Sequence, residues 1–490
     1  MRFLALLWLI FLLAACTTPA APVQTPVPVA TNAPPAAPKI APTPTREPRL
    51  AETRGAETRT AEASPTNALV IPTVSSSLPM ATPNRIVYVA ESSQKVCQLV
   101  GETDRQVNKP TANQTETRFG LVGNDLGYSF EHDGKLFFLF GDSMATPTFN
   151  GKPNSLKDPP RIADDNDAIA FTTETSIGQC IKLNFITDAI GAFENPVVLN
   201  AQGQPAITLK AFEIPIAGIS DAGKMYVIFG TDHLVSPLGF ATRTVVGESD
   251  DNANTFHYLY DFSKGPDARF INVAIAQGQD GYLYFWGTQG GTLYRQSAPF
   301  LARKPIGSMS NLNGIEYLHA TSPDGKPVFI PNENDATPLF HDYLSNAAGT
   351  QRVADCMGEL GVQWDPFVKR WVMLYNCLND TPSNPRGIYM RLAPQPWGPW
   401  STAQTIFNPE RDGGYCHFIH RAVNAQNPTA CDNLSDPGKS DVFGGEYAPY
   451  FLSRYTTGDV ARATSTFYYT LSTWNPYTEI IMKTTIQGGP

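Results

Sequence analysis

The chain has no excess of positive charge: 36 Lys and Arg face 45 Asp and Glu, a formal net charge of -9. That balance excludes nucleic acid and anionic membrane surfaces as the main partner. It has no apolar run long enough to span a bilayer, which takes about 20 residues. It has no G-x-S-x-G, H-E-x-x-H or Walker A pattern, and no C-x-x-C spacing, so the common serine-hydrolase, zinc-protease, nucleotide and zinc-ribbon signatures are all missing. Nor does any long stretch carry a helical period, which excludes an α-helical bundle.

What is present begins with a leader. Met1-Arg2 is basic, Phe3 to Leu13 is apolar, and Leu13-Ala14-Ala15-Cys16 matches the bacterial lipobox, in which the cysteine is acylated and becomes the new N-terminus. Residues 1–15 are therefore read as a lipoprotein signal peptide and Cys16 as a lipid anchor. Residues 16–83, rich in Pro, Ala and Thr with scarcely an aromatic residue, read as a disordered tether, because such a segment cannot bury enough apolar surface to offset its ordering entropy. An exported, envelope-anchored protein is expected, touching the membrane through its lipid only.

Residues 84–490 alternate Tyr, Phe, Val and Ile-rich runs with Gly, Asn, Asp and Pro clusters, which predicts an all-β domain. A turn followed by an aromatic strand recurs: "HDGKLFFLFGD" from His132, "DAGKMYVIFGTD" from Asp221 and "QDGYLYFWGTQ" from Gln279, then the looser "WDPFVKRWVMLYN" from Trp364 and "TSTFYYTLSTW" from Thr464. Five hairpins at irregular spacing predict a five-bladed β-propeller, with a two-sheet sandwich as the alternative. A monomer is expected.

Six of the seven cysteines remain once Cys16 is set aside, an even number in an exported domain. The turn within "CMGELGVQWDPFVKRWVMLYNC" brings Cys356 opposite Cys377 and predicts that disulfide. Cys416 with Cys431 is the next pairing, leaving Cys97 with Cys180, although the sequence alone does not choose among the connectivities. The Asp-rich segment "RIADDNDAIAF" offers Asp164, Asp165 and Asp167 as calcium ligands, but lacks the glycine and distal glutamate of an EF-hand and reads as a solvated loop. No metal site and no cofactor are assigned.

The candidate chemistry lies in "GNDLGYSFEHDGKLFFLFGDS". A two-residue turn at Asp133-Gly134 sets Asp125 opposite Asp142 at the channel end of the first blade. Like charges directly opposite destabilise a sheet, and the next two repeats carry Ile214 and Asn272, and Thr231 and Thr288, at these positions, so the blade does not require either acid. Glu359 and Glu446 open the inner strands of the fourth and fifth repeats, which would converge on the same channel. Crowded carboxylates split their pKa values, and two carboxylates with distinct roles are the usual equipment of glycoside hydrolases. His233, Trp397, His417 and His420 are candidate sugar contacts, with packing between blades the competing reading for the tryptophan.

The same segment, with "GELGVQWDPFVKRWVMLYN", "PWGPWS" and "YAPYFLSRYTTGDVARATSTFYYTLSTWNPY" in that order, resembles the family known as domain of unknown function 4185. The resemblance implies a five-bladed propeller and, since some members are endo-D-arabinanases of mycobacterial cell-wall arabinan, a polysaccharide substrate. It also implies that the acids of the D-L-G and F-G-D motifs, Asp125 and Asp142, are the catalytic pair. Asn124 and Ser143 stand where threonines are expected, and insertions such as Met144 to Asn166 reshape the cleft. A surface-anchored hydrolase of a furanose-containing polysaccharide is one reading. A non-catalytic carbohydrate-binding propeller is the other.

Overall fold

The computed structural model describes residues 85–153, 166–209, 212–232, 241–345, 352–377 and 386–489. The leader, Cys16, the tether, His233, Asp164 and Asp165 lie outside the described residues.

Four of the recurring turns join the first and second strands of a blade, and the fifth motif is the second strand of the last. In blades one and two the turns are two residues long, with Asp133-Gly134 and Ala222-Gly223 all at positive φ, the geometry that matches the strand twist of a tight hairpin. The inner strands are Leu121–His132, Pro215–Asp221, Asn272–Gln277, Leu360–Asp365 and Glu446–Phe451, each leading its own antiparallel sheet. These five strands touch in a closed ring, blade one against blades two and five, and blade four against three and five. The domain is an all-β, five-bladed propeller, as the repeats predicted.

Closure joins the two ends of the domain. Ile86–Tyr88 and Gln94–Gln98, from the start of the chain, both pair with Tyr477–Gly488, the third strand of blade five. Blade two has an added parallel edge strand, Val198–Leu199 against Phe256–Lys264. The core lies between the blades: Phe137, Phe229, Tyr284 and Trp286 are fully buried, and the Trp286 indole N–H donates to the Pro396 carbonyl across the blade three and four contact. Gly218 makes room for such packing, because a Cβ there would lie 2.3 Å from the Phe130 ring of blade one.

All three pairings, Cys97–Cys180, Cys356–Cys377 and Cys416–Cys431, are present, with Cα separations of 5.8, 5.1 and 5.5 Å. They are the marks of a domain that matures in an oxidising compartment. Among the described residues no helix is long and apolar enough to cross a membrane.

Candidate active site

Asp125 does not stand directly opposite Asp142. From the turn inward the strands pair as the two-residue loop dictates, up to Tyr128 against Leu139, but Leu126 and Gly127 then take positive φ and insert an extra residue, so Asp125 pairs with Gly141. A compensating irregularity follows in the second strand, where Asp142 also has positive φ. The two acids thus sit at two bulges facing one another, an arrangement that re-aims side chains beside functional sites. It also removes the like-charge pair from direct opposition while leaving both residues in the wall of one cavity of about 340 Å³.

Other blades supply what holds the acids. From blade five, the Tyr447 hydroxyl donates to Asp125 Oδ2 at 2.7 Å and the Tyr477 hydroxyl donates to the Asp142 carbonyl at 2.9 Å. Ahead of blade two, the Phe212 N–H donates to Asp142 Oδ1 at 3.1 Å. Arg295, after the second strand of blade three, lays its guanidinium over the Tyr447 ring at 4.9 Å and pairs with Glu359 at 2.8 Å. The Tyr294 hydroxyl also donates to Glu359. Burial tends to raise Glu359, yet the charge and hydrogen bonds of Arg295, with Tyr294, hold it below the usual glutamate range.

Asp125 is different. Burial raises its pKa to about 6; the Tyr447 hydrogen bond and the Arg295 charge offset part of that rise, while the Glu359 charge adds to it. Its Oδ1 has no hydrogen-bond partner among the described residues. A carboxyl that titrates near neutrality inside a cavity is the equipment of a proton carrier.

Asp167 is a third acid of this cluster. It is buried, not part of a solvated loop, and burial together with the charges of Asp142 and Asp125 pushes its pKa well above the usual range. A signal for it exists in the sequence: it immediately precedes Ala168–Thr172, whose Ala168 pairs with Phe140, so it arrives at the same blade end as Asp142. Glu479, behind Asp125, is likewise buried and raised, first by burial and then by the Asp125 charge.

The remaining candidates separate. Glu359 and Glu446 are wholly buried at the starts of their inner strands but do not line the cavity. His420 is also buried, with Nδ1 2.6 Å from Asp432 and Nε2 2.9 Å from the Ser440 carbonyl, so both ring nitrogens are engaged inside the protein. His417 is exposed, with Nδ1 3.0 Å from the Tyr415 carbonyl, and does not line the cavity. Trp397 follows the third strand of blade four, whose Ala393 pairs with Trp371 beside the turn, at the end of the blade away from Glu359. Its indole N–H donates to the Gly325 carbonyl at 3.1 Å and its ring packs near Tyr284. The aromatic residues that do line the mouth are Phe212, Tyr294, Phe443, Tyr447 and Trp474, none of them singled out by the sequence. Cys416, Cys431 and Asp432 bring ligand atoms within 4.8 Å of one another, but the two sulfurs are bonded to each other.

Gly141 is required by space. A Cβ there would lie 2.9 Å from Ile214 and Leu126 and 3.1 Å from Asp125 Oδ1. Gly141→Ala is expected to displace the Asp125 carboxyl and to cost about 1–3 kcal/mol of stability. A thermal melt would check it, and an unchanged melting temperature would mean that the neighbours yield to the added methyl.

Among solved structures, a glycosyl hydrolase from Bacteroides ovatus is 11% identical, with 82% of this chain and 93% of that chain covered and a TM-score of 0.40. The GH43_1 enzyme from Xanthomonas citri complexed with xylose is 11% identical over 75% of this chain and 87% of that one, with a TM-score of 0.36. An exo-beta-1,3-galactanase from Phanerochaete chrysosporium is 9% identical over 80% and 64%, with a TM-score of 0.38. Likenesses this distant bear on neither substrate nor mechanism. A comparison with curated proteins finds no match. The family model described as domain of unknown function (DUF4185) matches residues 110–483, from just before the first blade into the last strand of the fifth, and the chain belongs to that family.

Proposed function

We propose that this protein is a glycoside hydrolase that cuts a furanose-containing polysaccharide between internal residues, with D-arabinan as the substrate that the family resemblance favours. The observation that carries the reading is the pairing, in one cavity, of Asp125, titrating near neutrality, with a second carboxylate, Asp142. In this mechanism Asp125 holds the proton that passes to the departing sugar oxygen. Asp142, oriented by the Phe212 N–H, serves the opposite side of the bond as base or nucleophile. The Tyr447 hydroxyl stays on Asp125 through the transfer and stabilises the carboxylate that forms.

Incubation with D-arabinan and arabinogalactan tests this directly. A mixture of oligosaccharides with a rapid fall in viscosity is expected; binding without any release of new reducing ends would replace the hydrolase by a carbohydrate-binding module.

The leader supports an anchored location, with Cys16 acylated and the tether holding the propeller away from the membrane. The full chain should partition with detergent from the membrane fraction, and Cys16→Ser should release it into the soluble fraction. Recovery of the unaltered protein only in the soluble fraction would refute the anchor.

A further inference from the structure

Two of the exposed aromatic residues at the cavity mouth connect to Asp142, one directly and one through a neighbouring tyrosine. Phe212, 37% exposed, lies just ahead of the inner strand of blade two and has a positive φ, a conformation that a bulky residue adopts only when its surroundings impose it. Its N–H is the one that donates to Asp142 Oδ1. Trp474, 38% exposed, ends the second strand of blade five and sits edge-on to Tyr477, ring centroids 5.8 Å apart. Tyr477 is the residue whose hydroxyl donates to the Asp142 carbonyl. Blade one, which carries Asp142, lies between blades two and five in the ring.

We infer that Phe212 and Trp474 are sugar-stacking platforms on either side of Asp142, which receive consecutive rings of one polysaccharide chain laid across the mouth from blade two to blade five. The inference rests on the hydrolase reading and deepens it. A sugar ring presents an apolar C–H face and a rim of hydroxyls, and this mouth offers both complements: aromatic faces outside, and Asn272 and Arg295 as hydrogen-bond donors within. Lys439 Nζ lies over one face of the Trp474 ring, 5.6 Å from its centre, so a sugar would use the other face. Two platforms flanking the reacting group fit internal cleavage, because an enzyme that trims chain ends needs room on one side only. Phe212 reaches the Asp142 carboxylate through its own N–H, whereas Trp474 reaches only the Asp142 backbone, through its ring contact with Tyr477.

The test uses the full chain carrying Asp125→Asn, which binds without cutting, titrated with D-arabinofuranosyl oligosaccharides of increasing length by calorimetry and tryptophan fluorescence. Affinity is expected to rise with length. Adding Phe212→Ala or Trp474→Ala should weaken the longer oligosaccharides about tenfold each, with progressively less effect on shorter ones, and Trp474→Tyr should recover most of the loss. Both rings are exposed, so folding is not at stake, and melts of each variant verify this. Binding of the oligosaccharides that is unchanged in both alanine variants, or independent of length, would overturn the platforms while leaving the hydrolase reading standing. Failure of the native protein to cut, together with failure of the trap to bind, any glycan in a panel of arabinans, arabinogalactans and other furanose-containing polysaccharides would overturn both.

Discussion

Asp125→Asn and Asp142→Asn should each lower the rate of arabinan cleavage by at least about a thousandfold, roughly 4 kcal/mol of transition-state stabilisation, in proteins that remain folded. The geometry makes asparagine a fair replacement at both sites. Its amide oxygen accepts the Tyr447 hydroxyl at position 125 and the Phe212 N–H at position 142 as the carboxylate does, so the walls of the cavity keep their bonds. What is lost is the transferable proton at one site and the negative charge at the other. Release of reducing ends, with a melt to verify folding, measures the effect. A folded variant that cuts at a near-native rate would remove that residue from the mechanism, and the buried Asp167 beside the pair would be the next to test.

The second large effect is a dependence on pH whose sign follows from the cavity. The Asp125 carboxyl is raised from an ordinary 3.8 to about 6, so the folded protein keeps a proton that the unfolded chain has already lost. Stability from this group is therefore full below the ordinary value, declines as pH rises from there through about 6, and is gone above it. At about 1.36 kcal/mol per pKa unit the loss is on the order of 3 kcal/mol. Asp125→Asn cannot ionise, so at pH 8 it should be more stable than the native protein by roughly that amount, and at pH 4 the two should converge. Asp167 and Glu479 are raised mainly by burial in both proteins, so the difference between the two denaturation curves is the quantity to read; it also carries the part of their shifts that the Asp125 charge supplies and Asp125→Asn removes. A constant difference across this range would show that the carboxyl is not raised.

Activity carries the same signature. With Asp125 as the acid, kcat/KM falls as pH rises through about 6. Tyr447→Phe removes a hydrogen bond that favours the ionised carboxylate, so the falling limb should move to higher pH.

Contacts from blade five converge on the backbone beside Asp125. Thr470 Oγ1 lies 3.3 and 3.2 Å from the Leu126 and Gly127 carbonyls, and the Ser472 hydroxyl accepts the Leu126 N–H at 2.8 Å while donating to Glu479 at 2.7 Å. Blade five thus grips the bulge beside Asp125. A bulge of this kind survives only where its neighbours over-determine it.

Local rules reached the blades, the Cys356–Cys377 disulfide and the first two acids. A two-residue turn at Asp133-Gly134 fixes how the flanking strands meet, and strand alternation carries that count inward, so Asp125 and Asp142 are legible as near neighbours from a single hairpin. Cys356 and Cys377 are legible for the same reason, since only a hairpin separates them. Counting strand directions within blade four also accounts for Trp397, because a third strand ends where the first one ends, beside the turn. The bulge at Leu126-Gly127 was not legible: either register satisfies the local pattern, and Thr470 and Ser472, hundreds of residues away, stabilise the one adopted. The same separation hid Tyr447, Arg295 and the exposed rings of Phe212 and Trp474, which meet Asp125 or Asp142 only once the ring of blades has closed. The pKa of Asp125 belongs wholly to that closure. Desolvation and the fields of Glu359 and Arg295 are sums over neighbours from several blades, and no stretch of the chain contains them. The sequence by itself therefore determined which two carboxylates come near one another, through short-range turn geometry, whereas only the tertiary structure decided which of them burial raises toward neutrality and which aromatic residues line the cavity around them.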